Sequence, residues 1–67
     1  MSSVARVTTI TSRSDQSFED AIREGVRRAS QTLRHIQGAW VKDQTAVITD
    51  GEVTSWQVVL EVTFVLE

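Results

Sequence analysis

The stretch from Val53 to Leu66 constrains the fold more than any other part of this 67-residue chain. Read with a period of two, Trp56, Val58, Leu60, Val62, Phe64 and Leu66 fall on one face. Ser55, Gln57, Val59, Glu61, Thr63 and Val65 fall on the other. Successive strand side chains point to opposite sides, so this pattern describes a strand with one apolar face and one mixed face. The mixed face is too apolar for ordinary solvent surface and too polar for a core. In a chain this short, that implies a cover from outside the protomer: another copy, a ligand, or both.

Chain length reinforces the point. A domain of this size shields only roughly 60% of its unfolded surface, which leaves a marginal core. Small folds compensate with disulfides, a metal or self-association. The chain has no cysteine, and His35 is its only histidine, so disulfides and a structural zinc are excluded. Self-association remains. A formal net charge of −2 supplies no basic footprint for nucleic acid. No apolar run approaches the roughly 20 residues of a membrane span, and Met1-Ser2-Ser3-Val4 does not read as a signal peptide. A single cytoplasmic domain over residues 1–67, with no nucleic-acid or membrane partner, is the expectation.

Upstream, Val4 to Thr11 is rich in Val, Thr and Ile and reads as a strand. The polar stretch from Thr11 to Ser17 reads as a connection, ending in a cap at Ser17 with Glu19 and Asp20 in the first helical turn. Phe18, Ala21, Ile22, Val26, Ala29 and Leu33 recur at helical spacing, which predicts a helix to about Arg34. On its wet side, Glu19 with Arg23 and Glu24 with Arg28 are i,i+4 pairs. Arg27, Arg28, Arg34 and His35 place positive charge near the C-terminal end, where the helix dipole explains it.

Gly38 to Ile48 reads as a second strand, joined to the third through Asp50-Gly51, a strong hairpin signal. The expected fold is therefore α+β, in the order β-α-β-β. The third strand sits centrally and antiparallel to both others, giving sheet order 1-3-2 wrapped on one helix. One helix covers one face of the sheet and leaves the other open.

A two-residue turn at Asp50-Gly51 sets Gln44 opposite Gln57, Lys42 opposite Val59, Trp40 opposite Glu61 and Gly38 opposite Thr63. Trp40, Gly38 and Gln57 then all project away from the helix, whereas Trp56 belongs to the core beneath it. Trp40 offers a flat surface with one N–H donor, suited to a subunit interface or an aromatic ligand. Gln57 has both a donor and an acceptor for a heterocycle edge or for a bond between subunits. Catalytic chemistry finds no foothold. There is no cysteine, no second histidine and no glycine-rich phosphate loop. Asp43, Asp50, Glu52 and Glu61 could assemble oxygen ligands for Ca²⁺ between subunits, but no loop has EF-hand spacing.

The whole chain resembles the dodecin family. The resemblance rests on the element order, Ser17-Phe18-Glu19-Asp20-Ala21, the run from Arg27 to Leu33, Ala39-Trp40-Val41-Lys42, the Asp50-Gly51 turn and the closing Gln57 to Phe64. It implies a hollow homododecamer of cubic 23 symmetry, with helices outside and sheets lining the interior. It also implies sequestration of flavin, of the riboflavin, FMN or lumichrome type, in pairs at subunit contacts and without turnover. In that pattern a tryptophan stacks on the isoalloxazine ring and a third-strand glutamine bonds its edge. Gln57 matches the glutamine. Gly38 stands where the stacking tryptophan is expected, and Thr45 and Val65 replace two arginines found in some bacterial members.

Losing a stacking platform costs on the order of 1–3 kcal/mol. Trp40 leaves the same face roughly 6.6 Å along the strand and offers a displaced platform. The resemblance therefore implies a flavin site at Gln57, Trp40 and Gly38. The alternative is a branch without flavin, acting as a structural shell or a calcium-binding particle.

Overall fold

The computed structural model describes residues 3–66. The reading of Met1 and Ser2 as lacking a leader, and Glu67 as the end of a single domain, lie outside the described residues. The elements are β1 (Ala5–Ser14), α1 (Phe18–Ala29), β2 (Ile36–Thr49) and β3 (Glu52–Val65). The sheet has order β1-β3-β2, with β3 antiparallel to both neighbours, as the hairpin and crossover lengths require.

β1 runs three residues further than its β-branched stretch. Ser12, Arg13 and Ser14 pair with Val58, Gln57 and Trp56, so partner strand and not propensity decides their conformation. The polar connection is then very short and is tied at both ends. Buried Ser14 donates from Oγ to Asp20 Oδ2 at 2.6 Å and accepts from the Gln16 N–H at 2.9 Å. Ser17 caps the helix by accepting the Asp20 N–H at 2.9 Å.

α1 stops at Ala29, short of the expected Arg34. Past it, the Gln31 and Thr32 N–H groups reach back only three residues, to Arg28 and Ala29, in a tightened last turn. Ser30 Oγ donates to the Val26 carbonyl at 2.8 Å, and such hydroxyl bonds compete with continued helix. Glu19 pairs with Arg23 as expected, but Glu24 pairs with Arg27 at 2.8 Å and not with Arg28, which turns to Gln31 at 3.2 Å.

The helix stripe packs on β3. Ala21, Val58, Leu60 and Val62 are completely buried, and Ile10, Phe18, Ile22, Val26, Leu33, Ile36 and Val41 pack against them. Gly25 brings the helix onto the sheet, since a Cβ there would stand 3.0 Å from Ser12 Cβ and 3.1 Å from Leu60 Cδ1. Trp56 departs from the expectation of a core position. It shares the helix-facing side of β3 but is only half-buried, level with Ser14 and Ala46 and outside that cluster.

Beyond that level β2 and β3 continue as a hairpin with no β1 partner. Asp50 (φ 52°) and Gly51 (φ 79°) both have positive φ, the mark of the two-residue turn that matches strand twist. Ile48 and Val53 near its tip are exposed. The protomer is consequently long, with extents of 53 × 20 × 13 Å and a radius of gyration of 13.8 Å. A compact domain of this length would measure about 11 Å. Its accessible surface is 5024 Å², against about 4,200 Å² for a globular monomer of the same mass.

Candidate functional site

The side of the sheet away from α1 is built from alternate residues of all three strands. On β3 these are Ser55, Gln57, Val59, Glu61, Thr63 and Val65. On β1 they meet Arg13, Thr11, Thr9, Val7 and Ala5, in the register Gln57 to Val65. On β2, Val47, Thr45, Asp43, Trp40 and Gly38 lie opposite Ser55, Gln57, Val59, Glu61 and Thr63. Trp40 and Gly38 therefore sit across from Glu61 and Thr63, as the turn geometry predicts.

The register between the turn and Trp40 differs from expectation. Thr45, not Gln44, lies opposite Gln57, and Asp43, not Lys42, lies opposite Val59. An extra residue on β3 near Thr54 shifts the pairing by one step, and an extra residue on β2 at Lys42 shifts it back. Each bulge adds one unpaired residue and bends its strand. Because the two cancel, the expected partners of Trp40 and Gly38 survive while Gln44 moves to the helix-facing set beside Val58. A further irregularity between Ile36 and Gly38 ends the regular pairing. Bulges are invisible to a pattern of period two, which is why sequence reasoning missed them.

Side-chain bonds across strands order this open face. Arg13 Nη2 donates to Gln57 Oε1 at 2.7 Å. Thr9 Oγ1 donates to Glu61 Oε2 at 2.9 Å, and the Lys42 ammonium stands 3.5 Å from Glu61 Oε1. Sequence reasoning singled out neither Arg13 nor Thr9; the first falls in a stretch that reads as loop. Trp40 is 68% exposed, and Val7 on the same face is 54% exposed. No Cβ at Gly38 would touch anything within 4 Å, so the position next to Trp40 is open space.

Within one protomer the candidate residues are spread along the face. Glu61 lies opposite Trp40, and Gln57 is two same-face positions further along β3. That is roughly 13 Å at the strand rise per residue. Gly38 lies beyond Trp40, on the far side from Gln57. One protomer thus supplies an exposed aromatic plane and a separate hydrogen-bonding edge. Within one protomer the two stand too far apart to meet on one small ring.

Two concavities lie elsewhere. One of 330 Å³ runs between α1 and β1, beside Ile10, Ser12, Gly25 and Arg28. The other, of 520 Å³, is lined by Leu33, His35, Phe64 and Leu66. Neither contains Trp40, Gly38 or Gln57. Among the described residues no group of three or more His, Cys, Asp or Glu is placed to hold a metal ion. No helix among them is long and apolar enough to cross a membrane.

Comparison with known proteins places this geometry. A family model described as Dodecin matches residues 4–67. A curated dodecin from Thermus thermophilus is 43% identical over 54 residues, spanning 81% of this chain and 78% of that protein. The solved dodecin from Streptomyces davaonensis superposes with a TM-score of 0.93 at 36% identity, covering 100% of this chain and 98% of the other. Dodecin from Streptomyces coelicolor gives 0.92 at 40% identity, over 97% and 93% of the two chains. A calcium dodecin from Mycobacterium tuberculosis, described as a calcium-chelating antigen with a novel calcium-binding site, gives 0.83 at 30% identity over 96% and 91%.

Proposed function

This chain belongs to the dodecin family, and from that membership we propose that it assembles into a homododecameric shell that binds and sequesters a flavin without turnover. Dodecins are oligomeric proteins associated with small ligands, and the protomer is shaped for such a role. Its surface is larger than a monomer of its mass needs, and one sheet face has no element over it.

The observation that carries the reading is that open face, with a largely exposed Trp40 and a hydrogen-bonding Gln57. An isoalloxazine ring needs a flat apolar partner and polar contacts at its edge. Trp40 supplies the plane, Gly38 the clearance beside it, and Gln57 the edge. Because they are separated within a protomer, this reading takes plane and edge from different copies. Each chain contributes a dodecin-like domain, and the assembled particle is cytoplasmic. Riboflavin and FMN are the ligands to try first.

The calcium dodecin of Mycobacterium tuberculosis supports a second reading, a cation-binding or structural particle. Here Glu61 is already engaged by Thr9 and Lys42, and no three-carboxylate group exists among the described residues. A Ca²⁺ ion would need carboxylates from several copies.

Titration of riboflavin with the purified protein, followed by flavin fluorescence, separates the two. Saturable quenching that falls at least about tenfold in affinity in Trp40→Ala and in Gln57→Ala supports flavin sequestration. No quenching, with a melting temperature raised by Ca²⁺, supports the cation-binding particle. A folded monomer at micromolar concentration in sedimentation overturns both.

A further inference from the structure

The bond between Arg13 and Gln57 gives the open face a polarity of its own. A guanidinium has only donors, so the Gln57 atom that meets Arg13 Nη2 at 2.7 Å is the amide oxygen. That occupies one of the two lone pairs of the amide oxygen and turns it toward Arg13, so the Nε2 hydrogens are what Gln57 offers away from that bond. Arg13 keeps most of its five donors and its charge, exposed on the same face. An unpaired glutamine can turn to meet either a donor or an acceptor. Clamped by Arg13, its orientation is fixed and it favours acceptors. Thr45 on the other side of Gln57 carries no charge to offset this.

We infer that Arg13 and Gln57 together form a donor-rich, positively charged edge that selects aromatic ligands presenting paired acceptors or a carboxylate. This rests on the proposal that the open face takes an aromatic ring. A flavin meets such an edge chiefly through its ring oxygen and nitrogen acceptors. A ring with an anionic edge is held better still, because hydrogen bonds between ionised partners are roughly twice as strong as neutral ones. Arg13 acts here as a specificity residue: it touches the ligand edge and also fixes the orientation of Gln57.

The test uses two naphthalenes that differ only at the edge, 2-naphthoate and 2-naphthamide, with lumiflavin as the flavin probe. Affinities are measured calorimetrically on the assembled wild type and on Arg13→Ala, with Arg13→Gln as the variant to read if Arg13→Ala loses assembly. The wild type is expected to prefer the carboxylate. Removing Arg13 is expected to weaken 2-naphthoate about tenfold or more while 2-naphthamide changes less than about threefold. Equal loss of both ligands, or an unchanged preference, overturns the role of Arg13 and leaves the flavin reading standing whenever lumiflavin still binds. Failure of the wild type to bind lumiflavin and both naphthalenes overturns the aromatic site itself, and this inference with it.

Discussion

The two faces of β3 are made by the same strand and meet opposite fates. Val58, Leu60 and Val62 are wholly shielded by α1 and its neighbours. Their alternating partners Gln57, Val59, Glu61 and Thr63 are half-buried although no element of the protomer lies over them. The first face is ordered by packing, the second by bonds across strands from Arg13, Thr9 and Lys42. An apolar face close-packs against anything apolar of the right shape. A face that mixes Val7, Val59 and Trp40 with oriented polar groups accepts a more specific partner, because each polar group must be matched when it is covered. Protomer folding belongs to the first face, and the proposed assembly and ligand binding fall to the second.

The sharpest way to break this division is to truncate one aliphatic side chain on each face to alanine. Leu60→Ala removes a fully buried side chain at the centre of the cluster. It should destabilise the fold by about 2–5 kcal/mol, read from the urea midpoint. Val59→Ala, one residue away on the open face, should cost roughly 1 kcal/mol, in line with its partial burial. Equal costs would mean that the open face is packed between copies as tightly as the core.

Much of that division is legible in the sequence, and the exceptions have specific causes. Alternation along β3 separates the faces because a strand buried on one side must repeat every two residues. Asp50-Gly51 specifies the turn because both central positions need positive φ. Helix length is overestimated since Leu33 keeps helical spacing and still packs on the core from a tightened turn. β1 is underestimated because Ser12, Arg13 and Ser14 resemble loop residues and become strand only through pairing with β3. Arg13 escapes a sequence pattern for that reason. A period-two pattern finds the partners of Trp40 and Gly38 only because two bulges cancel; it misses those of Gln44, which lies between the bulges, and of Lys42, which is itself the bulged residue. Trp56 shows the limit of parity: it names a face but not whether the helix extends far enough to cover it.

A smaller effect sharpens the account of the packed face. Gly25 is buried in mid-helix, where alanine would ordinarily be favoured by about 1 kcal/mol. Here an added methyl meets Ser12 Cβ at 3.0 Å and Leu60 Cδ1 at 3.1 Å. Ser12 Cβ is fixed to the β1 backbone and cannot turn aside, and Leu60 is completely buried. Overpacking of this kind costs about 1–3 kcal/mol, so Gly25→Ala should lower stability by about 1 kcal/mol despite its better propensity. A rise in the denaturation midpoint would show that α1 rides on the sheet more loosely than the contacts imply.

The smallest effect tests whether the open face is covered. In the protomer, the Lys42 ammonium lies 3.5 Å from Glu61, with the lysine side chain 57% exposed and the glutamate 16%. A pair so open to water contributes between about 0 and 1 kcal/mol, and salt weakens it further. Glu61 also keeps its bond from Thr9 when Lys42 is removed. Lys42→Ala should therefore cost under about 0.5 kcal/mol in a dilute, dissociated sample, and the cost should shrink as ionic strength rises. In the assembled particle the same pair is taken out of water if a second copy lies over it, and stripping one partner then leaves a buried charge. A cost that grows with protein concentration, followed by thermal denaturation across a dilution series, would place Glu61 inside an interface. A cost that stays small at every concentration would place Trp40 and Glu61 on a surface that remains wet after assembly, which is where a soluble ring ligand could still reach them.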